Sequence, residues 1–315
     1  MAEIGLIAPE HLRHRVAGTP EEQWFNNSGV STVDEWTRLL TCLGRDIGEF
    51  DTIVDWGCGC GRALRHLAPK LSARQHLIGM DVDAEAIAWV RDNYRDVTSF
   101  ALAETPPTSL SAESVDLIVS HSILTHMPED VANNWLTELA RILKPGGLFI
   151  TTFNGDSVVK EYQNSMPPEF TEIMDSYGFY YANSKSEVEA AAFPEYYGGT
   201  CHSITYIAKR WAEWFTIRGW IPRFALNYQD SIILEKVSSE SREQTIAAEL
   251  SCGFDEEWYL QQNADVALDV KNGQWTSGLA HFLAHGLAEG RQPLPPDGST
   301  RTQVTPIMSK TTELG

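Results

Sequence analysis

Positive charge is scarce in this 315-residue chain, which has 24 lysines and arginines against 43 aspartates and glutamates and a formal net charge of −19. Such an acidic surface repels phosphate backbones and anionic lipid headgroups, so we expect no nucleic-acid partner. Long apolar runs are missing as well. No stretch of about 18 consecutive apolar residues occurs, which predicts that no segment spans a membrane. The first residues, Met1 to Ile7, have no basic region ahead of an apolar run and are not typical of a signal peptide.

Cysteine is also rare, with five scattered residues at Cys42, Cys58, Cys60, Cys201 and Cys252. An odd, dispersed set argues against a disulfide framework and predicts a cytoplasmic location, where thiols stay reduced. Cys58 and Cys60 have no second pair with which to bind zinc. His281 and His285 are spaced for one helix face but lack a third ligand nearby. We therefore predict no metal site.

Apolar residues make up 43% of the chain and aromatic residues 10%, which is the composition of a globular protein with a sizeable core. Short apolar runs alternate with segments of helical periodicity. The predicted strands are 52–56, 76–81, 97–102, 115–120 and 148–153, and helices are predicted at 31–43, 129–143 and 205–218. This alternation is typical of βαβ units and predicts an α/β fold with a doubly wound, mostly parallel sheet of seven strands.

The chain divides into four predicted segments. Residues 1–45 are expected to form an N-terminal cap, and residues 46–238 the main domain. Within that domain, residues 156–202 break the βα rhythm and predict an insertion on the substrate side. Two closely spaced strands, 222–227 and 231–237, then predict an antiparallel hairpin at the sheet edge. A polar stretch after Ser238 marks a boundary, followed by a small helical module at 250–293 and a disordered tail at 294–315.

The most informative segment runs from Asp55 to Arg62, with the sequence Asp-Trp-Gly-Cys-Gly-Cys-Gly-Arg. Glycines allow a backbone to approach a ligand closely, and the start of the next helix offers unpaired N–H groups. Dinucleotide-binding loops have the spacing G-x-G-x-x-G, whereas this loop has G-x-G-x-G preceded by an aspartate. A carboxylate in this place is unsuited to a pyrophosphate. It favours a ligand that carries positive charge, either an ammonium or a sulfonium.

A second carboxylate, Asp81, ends the second predicted strand about 20 residues beyond the loop. An acidic residue at this point can accept hydrogen bonds from both ribose hydroxyls of an adenosine. Capping of the next helix is the alternative role, and Asp83 is better placed for it. We therefore predict that Asp81 binds a ribose.

These residues resemble the class I S-adenosylmethionine-dependent methyltransferases. Residues 53–62 are similar to the first motif of that family, 78–81 to its second and 114–121 to its fourth. The resemblance implies S-adenosyl-L-methionine as cofactor, with the glycine loop near its methionine moiety, Asp81 near the ribose and Leu102 to Glu104 near the adenine. The cofactor-binding residues implied in this way are Asp55, Gly57, Cys58, Gly59, Gly61, Arg62, Asp81, Val82, Leu102, Ala103, Glu104, Ser120 and His121.

Three histidines are candidate catalytic residues. His121 and His126 follow the fourth predicted strand, at the sheet edge where this type of fold binds its substrates. His202 follows the Gly198-Gly199 pair at the end of the predicted insertion. A hydroxyl acceptor can use a histidine as general base. The alternative for each histidine is a packing or capping role.

The predicted function is methyl transfer from S-adenosylmethionine to an oxygen of a sugar, a glycan precursor or another small metabolite. The C-terminal module resembles appendages of bacterial glycan-processing proteins, which favours a glycan substrate. Methylation of nitrogen or carbon, and a non-catalytic scaffold that binds an adenosyl ligand, remain open. A polyamine synthase is disfavoured because Ser120-His121-Ser122 stands where an acidic cluster is expected. The sequence leaves the oligomeric state open.

Overall fold

The computed structural model describes residues 6–183, 185, 193–237, 256–272, 274–275, 278–282, 285, 289 and 291–292. The chain divides into two compact units, Met1–Ser238 and Ser239–Gly315, and each is described by itself. Across these described ranges, the helices fall short of the length and apolarity that crossing a bilayer requires.

The first unit is built on a seven-stranded sheet. Its strands are β1 (Thr52–Trp56), β2 (His76–Asp81), β3 (Val97–Ala101), β4 (Val115–Val119), β5 (Leu143–Phe153), β8 (Phe215–Ala225) and β9 (Gln229–Lys236), in the spatial order β3-β2-β1-β4-β5-β9-β8. The first five strands pair in parallel, whereas β9 is antiparallel to β5 and to β8. The order in which strands are added reverses between β1 and β4: β2 and β3 lie on one side of β1, and β4 and β5 lie on the other. In open parallel sheets, ligands bind at such a point. The predicted fold class is confirmed.

Helices cover both faces of this sheet. They are α1 (Glu10–Ala17), α2 (Glu22–Cys42), α3 (Leu64–Leu67), α4 (Ala84–Asn93), α5 (Glu129–Ile142), α6 (Asp156–Tyr162), α7 (Glu169–Ser176) and α8 (Ile204–Arg210). Successive residues of a strand point to opposite faces. Ile53 therefore packs in one apolar cluster with α2, α3 and α4, and Val54 in another with α5 and α8.

Two predicted helices have different limits in the structure. The helix expected at 31–43 begins already at Glu22, and Trp36 and Leu40 on its buried face pack in the same cluster as Ile53. Much of the expected N-terminal cap is therefore a layer of the core. The helix expected at 205–218 ends at Arg210, and β8 begins at Phe215. The aromatic residues of this segment suggest a helical stripe, but pairing with β9 takes over from Phe215 onward.

The segment predicted as an insertion lies against the carboxyl end of the sheet. It contains α6, α7 and a two-stranded antiparallel sheet of β6 (Phe179–Ala182) and β7 (Gly199–His202). Gly198 N donates to the His126 carbonyl, and Thr200 Oγ1 donates to the Met127 carbonyl. These two bonds fasten the insertion to the turn that follows β4.

The described residues of the second unit form α9 (Glu256–Gln262), α10 (Ala264–Lys271) and α11 (Gly278–His281). They pack around Tyr259, Val266 and Phe282. His281 is buried there, with Nδ1 3.0 Å from the Tyr259 hydroxyl, so this histidine belongs to a small core. The predicted tail at 294–315 lies outside the described residues.

One buried carboxylate joins the edge of the main sheet to the insertion. Asp230 has no exposed surface and accepts hydrogen bonds from Trp220 Nε1 and Arg223 N of β8 and from Ser157 Oγ of α6, each at 3.0 Å. We expect Asp230→Ala to lower the free energy of unfolding by about 2–4 kcal/mol, because three donors lose their acceptor. Urea unfolding measures the change. Asp92→Ala, at an exposed site on α4, is the control, and an equal loss in both variants would contradict the assignment.

Candidate functional site

The glycine loop between β1 and α3 is held close to β2. Gly57 N and Cys58 N both donate to the Met80 carbonyl, at 2.7 and 3.1 Å. Gly57 and Gly59 have φ values of +80° and +54°, a region that side chains rarely adopt. A Cβ atom at Gly57 would overlap Ile123, and one at Gly59 would overlap Val16 of α1. The backbone conformation therefore favours glycine at both positions, and a Cβ atom would also force Ile123 or Val16 to shift.

The Asp81 carboxylate orients this loop. One oxygen accepts from Gly59 N at 2.7 Å, and the other accepts from Asp83 N at 2.8 Å. Burial raises the pKa of Asp81 to about 6, although the backbone hydrogen bonds from Asp83 and Gly59 favour the charged form. Asp83 caps α4 by accepting from Glu85 N and Ala86 N, as the sequence predicts. Ribose binding by Asp81 stays a prediction, and its position at the cavity wall described next agrees with it.

Two cavities meet at the carboxyl end of β4. The inner cavity, of about 150 Å³, is lined on one side by Gly57, Gly59 and Asp81. The outer cavity, of about 690 Å³, extends toward the turn between β8 and β9. Six residues line both cavities: Arg15, Val16, His121, Ser122, His126 and Tyr197. The wall between the two spaces therefore consists of α1, the turn after β4 and one residue of the insertion.

The structure divides the predicted cofactor residues into two groups. The inner cavity is lined by Gly57, Gly59, Asp81, Val82, Leu102 and His121, whereas Asp55, Cys58, Gly61, Arg62, Ala103, Glu104 and Ser120 do not line it. Leu102 is placed by its backbone N–H, which donates to the Asp81 carbonyl at 2.7 Å. The Ser120 hydroxyl is buried and bonded to Thr151 Oγ1 at 2.8 Å. Ser120 thus supports the strand end from within the core.

Asp55 lies behind the loop. Its side chain is buried, and Oδ2 has no hydrogen-bond partner among the described residues. Burial raises the pKa of Asp55 to about 7, opposed by the Arg62 guanidinium. Arg62 is itself buried and donates to Thr32 Oγ1 of α2 at 3.0 Å. The Asp55 carboxylate and the Arg62 guanidinium therefore both lie in the core behind the glycines. The charge of Arg62 offsets the effect of burial on Asp55 only in part.

The three candidate histidines have different surroundings. His126 Nδ1 lies 2.8 Å from the Gly198 carbonyl, and its ring stacks on Tyr197 with centroids 4.2 Å apart. His121 is half-buried, and burial holds its pKa well below the usual value, so the imidazole is neutral at physiological pH. His202 is fully enclosed by aromatic rings, with Phe179 5.1 Å and Trp211 5.6 Å from its own ring. It lines neither cavity, so His202 is removed from the candidate bases.

Sequence reasoning missed a hydrogen-bond network that holds the turn after β4. Ser122 has a φ of +64°, and its N–H donates to Thr152 Oγ1 at 2.8 Å. Thr152 Oγ1 in turn donates to Gln229 Oε1 at 2.7 Å, and Gln229 Nε2 donates to Ser122 Oγ at 2.8 Å. The network fixes an unfavourable backbone conformation between the two histidines of the cavity wall.

Helix α1, in the segment predicted as an N-terminal cap, covers the site from the N-terminal side, although the sequence did not single out its residues. Arg15 donates to Asp83 at 3.0 Å and pairs with Glu85, and His11 lies 2.9 Å from the same glutamate. These contacts fasten α1 to the start of α4 while Val16 covers Gly59. The inner cavity is smaller than the roughly 300–1,000 Å³ of typical ligand pockets. We therefore expect the side chains of Val16 and Ile123 to move when a nucleoside enters.

The residues present fit an adenosyl ligand that carries a sulfonium. Asp81 can accept hydrogen bonds from ribose hydroxyls, and Val82 and Leu102 offer apolar contact beside it. The partly compensated Asp55 behind the loop favours positive charge. A doubly wound sheet with this loop at its switch point defines the class of nucleotide-type α/β domains.

Comparison with known proteins specifies the class further. Residues 53–147 match the protein family described as "Methyltransferase domain". The chain is 33% identical over 141 residues to the ribosomal protein L11 methyltransferase of Photorhabdus laumondii and 28% identical over 101 residues to the arsenite methyltransferase of Halobacterium salinarum. It is 30% identical over 122 residues to the malonyl-acyl-carrier-protein O-methyltransferase of Porphyromonas gingivalis. The matches cover 41%, 31% and 38% of this chain and 41%, 25% and 44% of those proteins, less than half of each.

Among solved structures, a SAM-dependent methyltransferase of Methanosarcina mazei covers 61% of this chain and 94% of its own, with 21% identity and a TM-score of 0.46. A protein of Pyrococcus horikoshii covers 73% and 96%, with 15% identity and a TM-score of 0.48. The family match places a methyltransferase domain at residues 53–147 of this chain. The cofactor of the domain is S-adenosyl-L-methionine.

The buried Asp55 makes stability depend on pH. Its pKa rises from 3.8 to about 7 on folding, so the folded state binds the proton more tightly and stability falls as pH rises through that window. Asp55→Asn removes this titration. We expect the variant to gain on the order of 1–3 kcal/mol relative to the wild type between pH 5 and pH 8.

Urea unfolding of the ligand-free protein at both pH values measures the effect. Asp51→Asn, at an exposed site beside β1, serves as control and is expected to show no such trend. A stability difference between wild type and Asp55→Asn that stays constant with pH would contradict the assignment.

Proposed function

We propose that this protein transfers the methyl group of S-adenosylmethionine to an oxygen atom of an acceptor held in the outer cavity, with a hydroxyl of a sugar or glycan precursor as the first candidate. The observation that carries the proposal is the shared wall. Residues of the inner cavity fit the cofactor, and His121, Ser122 and His126 face both this cavity and the larger one beside it.

Methyl transfer needs the acceptor atom in line with the bond that breaks, and the cofactor supplies a methyl group activated by a cationic sulfur. The chain's own contribution is therefore positioning, which can account for much of the acceleration of such a reaction. The network of Ser122, Thr152 and Gln229 fixes the turn at the boundary. Val16 of α1 and Tyr197 of the insertion line the same boundary.

His126 is the candidate base. The Gly198 carbonyl can only accept, so Nδ1 carries the proton of the neutral ring and Nε2 is its basic nitrogen. Stacking on Tyr197 further fixes the ring plane. His121 is the second candidate, but burial lowers its pKa and so disfavours uptake of a proton. A hydroxyl acceptor gains from such a base, which favours oxygen over a carbon or nitrogen nucleophile that reacts without losing a proton first.

Binding of the cofactor product tests the role of Asp81. We expect Asp81→Asn to weaken the binding of S-adenosylhomocysteine by about 2–4 kcal/mol, because the amide loses charged acceptor capacity for ribose hydroxyls and for the loop. Calorimetric titration measures the affinity, with Asp92→Asn on exposed α4 as a control expected to match the wild type. Failure of the wild-type protein to bind S-adenosylhomocysteine at millimolar concentration would refute the methyltransferase proposal.

Turnover tests the base. We expect His126→Gln to lower the rate of transfer of a radiolabelled methyl group to a hydroxyl acceptor by roughly 10²–10⁴-fold, with a much smaller loss of S-adenosylhomocysteine affinity. His76→Gln, at an exposed position at the start of β2, is the matched control. Near-normal turnover and an unchanged pH profile in both His126→Gln and His121→Gln would show that no histidine base is used.

The same assay separates the alternatives. Label transferred to amines or carbon acids instead of hydroxyls would indicate N- or C-methylation. Tight cofactor binding without turnover on sugars, sugar nucleotides, amines or carbon acids would favour a scaffold that binds an adenosyl ligand.

A further inference from the structure

The outer cavity continues into a groove along α2. Counting the outer cavity as the first, a second cavity of about 480 Å³ shares Trp24 and Leu226 with it. A third, of about 420 Å³, shares Ser31, Glu35 and Asn227 with the second. We call this row of adjoining cavities, from Trp24 to Arg38, the α2 groove. It leads away from the boundary at which transfer is proposed to occur.

The α2 groove is long compared with a single small metabolite. Trp24 and Arg38 both belong to α2, and a helix rises 1.5 Å per residue, so the groove follows the helix for about 21 Å. The outer cavity alone has the volume of a typical small-molecule pocket. A compact acceptor would fill the outer cavity and leave the rest of the groove unused.

The opposite wall of the groove is a strained turn. Leu226 and Asn227, between β8 and β9, have φ values of +50° and +57°. Leu226 N–H donates to the Glu35 carboxylate of α2 at 2.8 Å, which ties the turn to the helix. Bulky residues in this backbone region are costly and tend to occur at binding sites. The hydrogen bond to Glu35 holds the turn against the helix before any ligand binds.

The groove presents aromatic and amide groups to solvent. Trp24 is 41% exposed, and Tyr228 in the adjoining outer cavity is 37% exposed, although such large rings are usually covered in a folded chain. Gln23, Asn27 and Asn227 line the space beside Trp24, and their amides donate and accept hydrogen bonds at once. Aromatic faces match the apolar faces of sugar rings, and amides match their hydroxyls.

The charges of the groove are largely compensated within the protein. Arg223 pairs with Glu161 at 2.7 Å, and Lys70 lies 3.5 Å from Asp34. The Arg38 guanidinium lies over the Phe224 ring at 4.9 Å, and Glu35 accepts from the turn. A strongly cationic peptide or a polyanion would gain little here, whereas a neutral, hydroxyl-rich chain meets groups that suit it.

We propose that the α2 groove binds a neutral oligosaccharide, whose terminal unit occupies the outer cavity while two or more further units extend along α2. The proposal rests on the proposed function for the identity of the reacting end. It adds that the acceptor has several sugar units, and it names the residues that contact the units beyond the reacting end.

Ligand binding without turnover tests the proposal. Saturation-transfer NMR and calorimetry are performed on the full chain loaded with S-adenosylhomocysteine, with ladders of one to four units of mannose, glucose and galactose oligosaccharides. We expect affinity for one ladder to rise at least tenfold from one unit to three. Trp24→Ala is expected to weaken three-unit binding about tenfold and one-unit binding by less, because Trp24 lines both the outer and the second cavity.

Two further variants test whether the effect is specific to the α2 groove. Val30→Ala, at an exposed apolar site on the same helix outside the groove, is the matched control and should leave every affinity within a factor of two. Ser31→Trp places a bulky ring at the boundary of the second and third cavities. It should reduce binding of the longest oligosaccharides most, while S-adenosylhomocysteine affinity stays unchanged.

Several outcomes would overturn the proposal. One is affinity that does not depend on length in any ladder, and another is equal loss in Trp24→Ala and Val30→Ala. Displacement of the sugars by a lysine-rich peptide that binds more tightly would assign the groove to another class of ligand. Each result concerns the groove alone, because the proposed function fails separately if S-adenosylhomocysteine does not bind.

Discussion

The Asp81 carboxylate joins three parts of the site that are distant in the chain. It ends β2, receives the N–H of Gly59 from the loop after β1, and receives the N–H of Asp83 at the start of α4. Asp83 then caps α4 and binds Arg15 of α1. The glycine loop, the strand end and the covering helix are thus connected through one buried acidic residue and its neighbour. Without that carboxylate, the loop would lose its hydrogen-bonded connection, through Asp83, to α1.

The buried charges near the loop connect stability with ligand binding. Asp55 and Arg62 lie in the core behind the glycines, and burial disfavours the charged form of each. A ligand with positive charge near Asp55 would favour its ionised form. Any ligand that binds only the folded state stabilises it. The cofactor is therefore expected to raise the free energy of unfolding and to offset part of the cost of burying these charges.

The sequence predicted the features that depend on neighbouring residues. Alternation of apolar runs with helical segments indicated the parallel sheet, and the spacing of Gly57, Gly59 and Gly61 indicated a ligand loop. The features it missed depend on residues far apart in the chain. Ser122 is held by Gln229, 107 residues away, and no local pattern announces such a bond. His202 follows a glycine pair and resembles a loop residue in sequence, but β7 carries it into an aromatic cluster.

Helix α1 has a consequence for kinetics. Arg15 and Val16 line the inner cavity and the outer cavity together, so one short helix forms part of both walls. A movement of α1 that admits the cofactor also dismantles the surface against which the acceptor rests. Exchange at the two sites would then be coupled through one helix, so a ligand that displaces α1 at one cavity also alters the other.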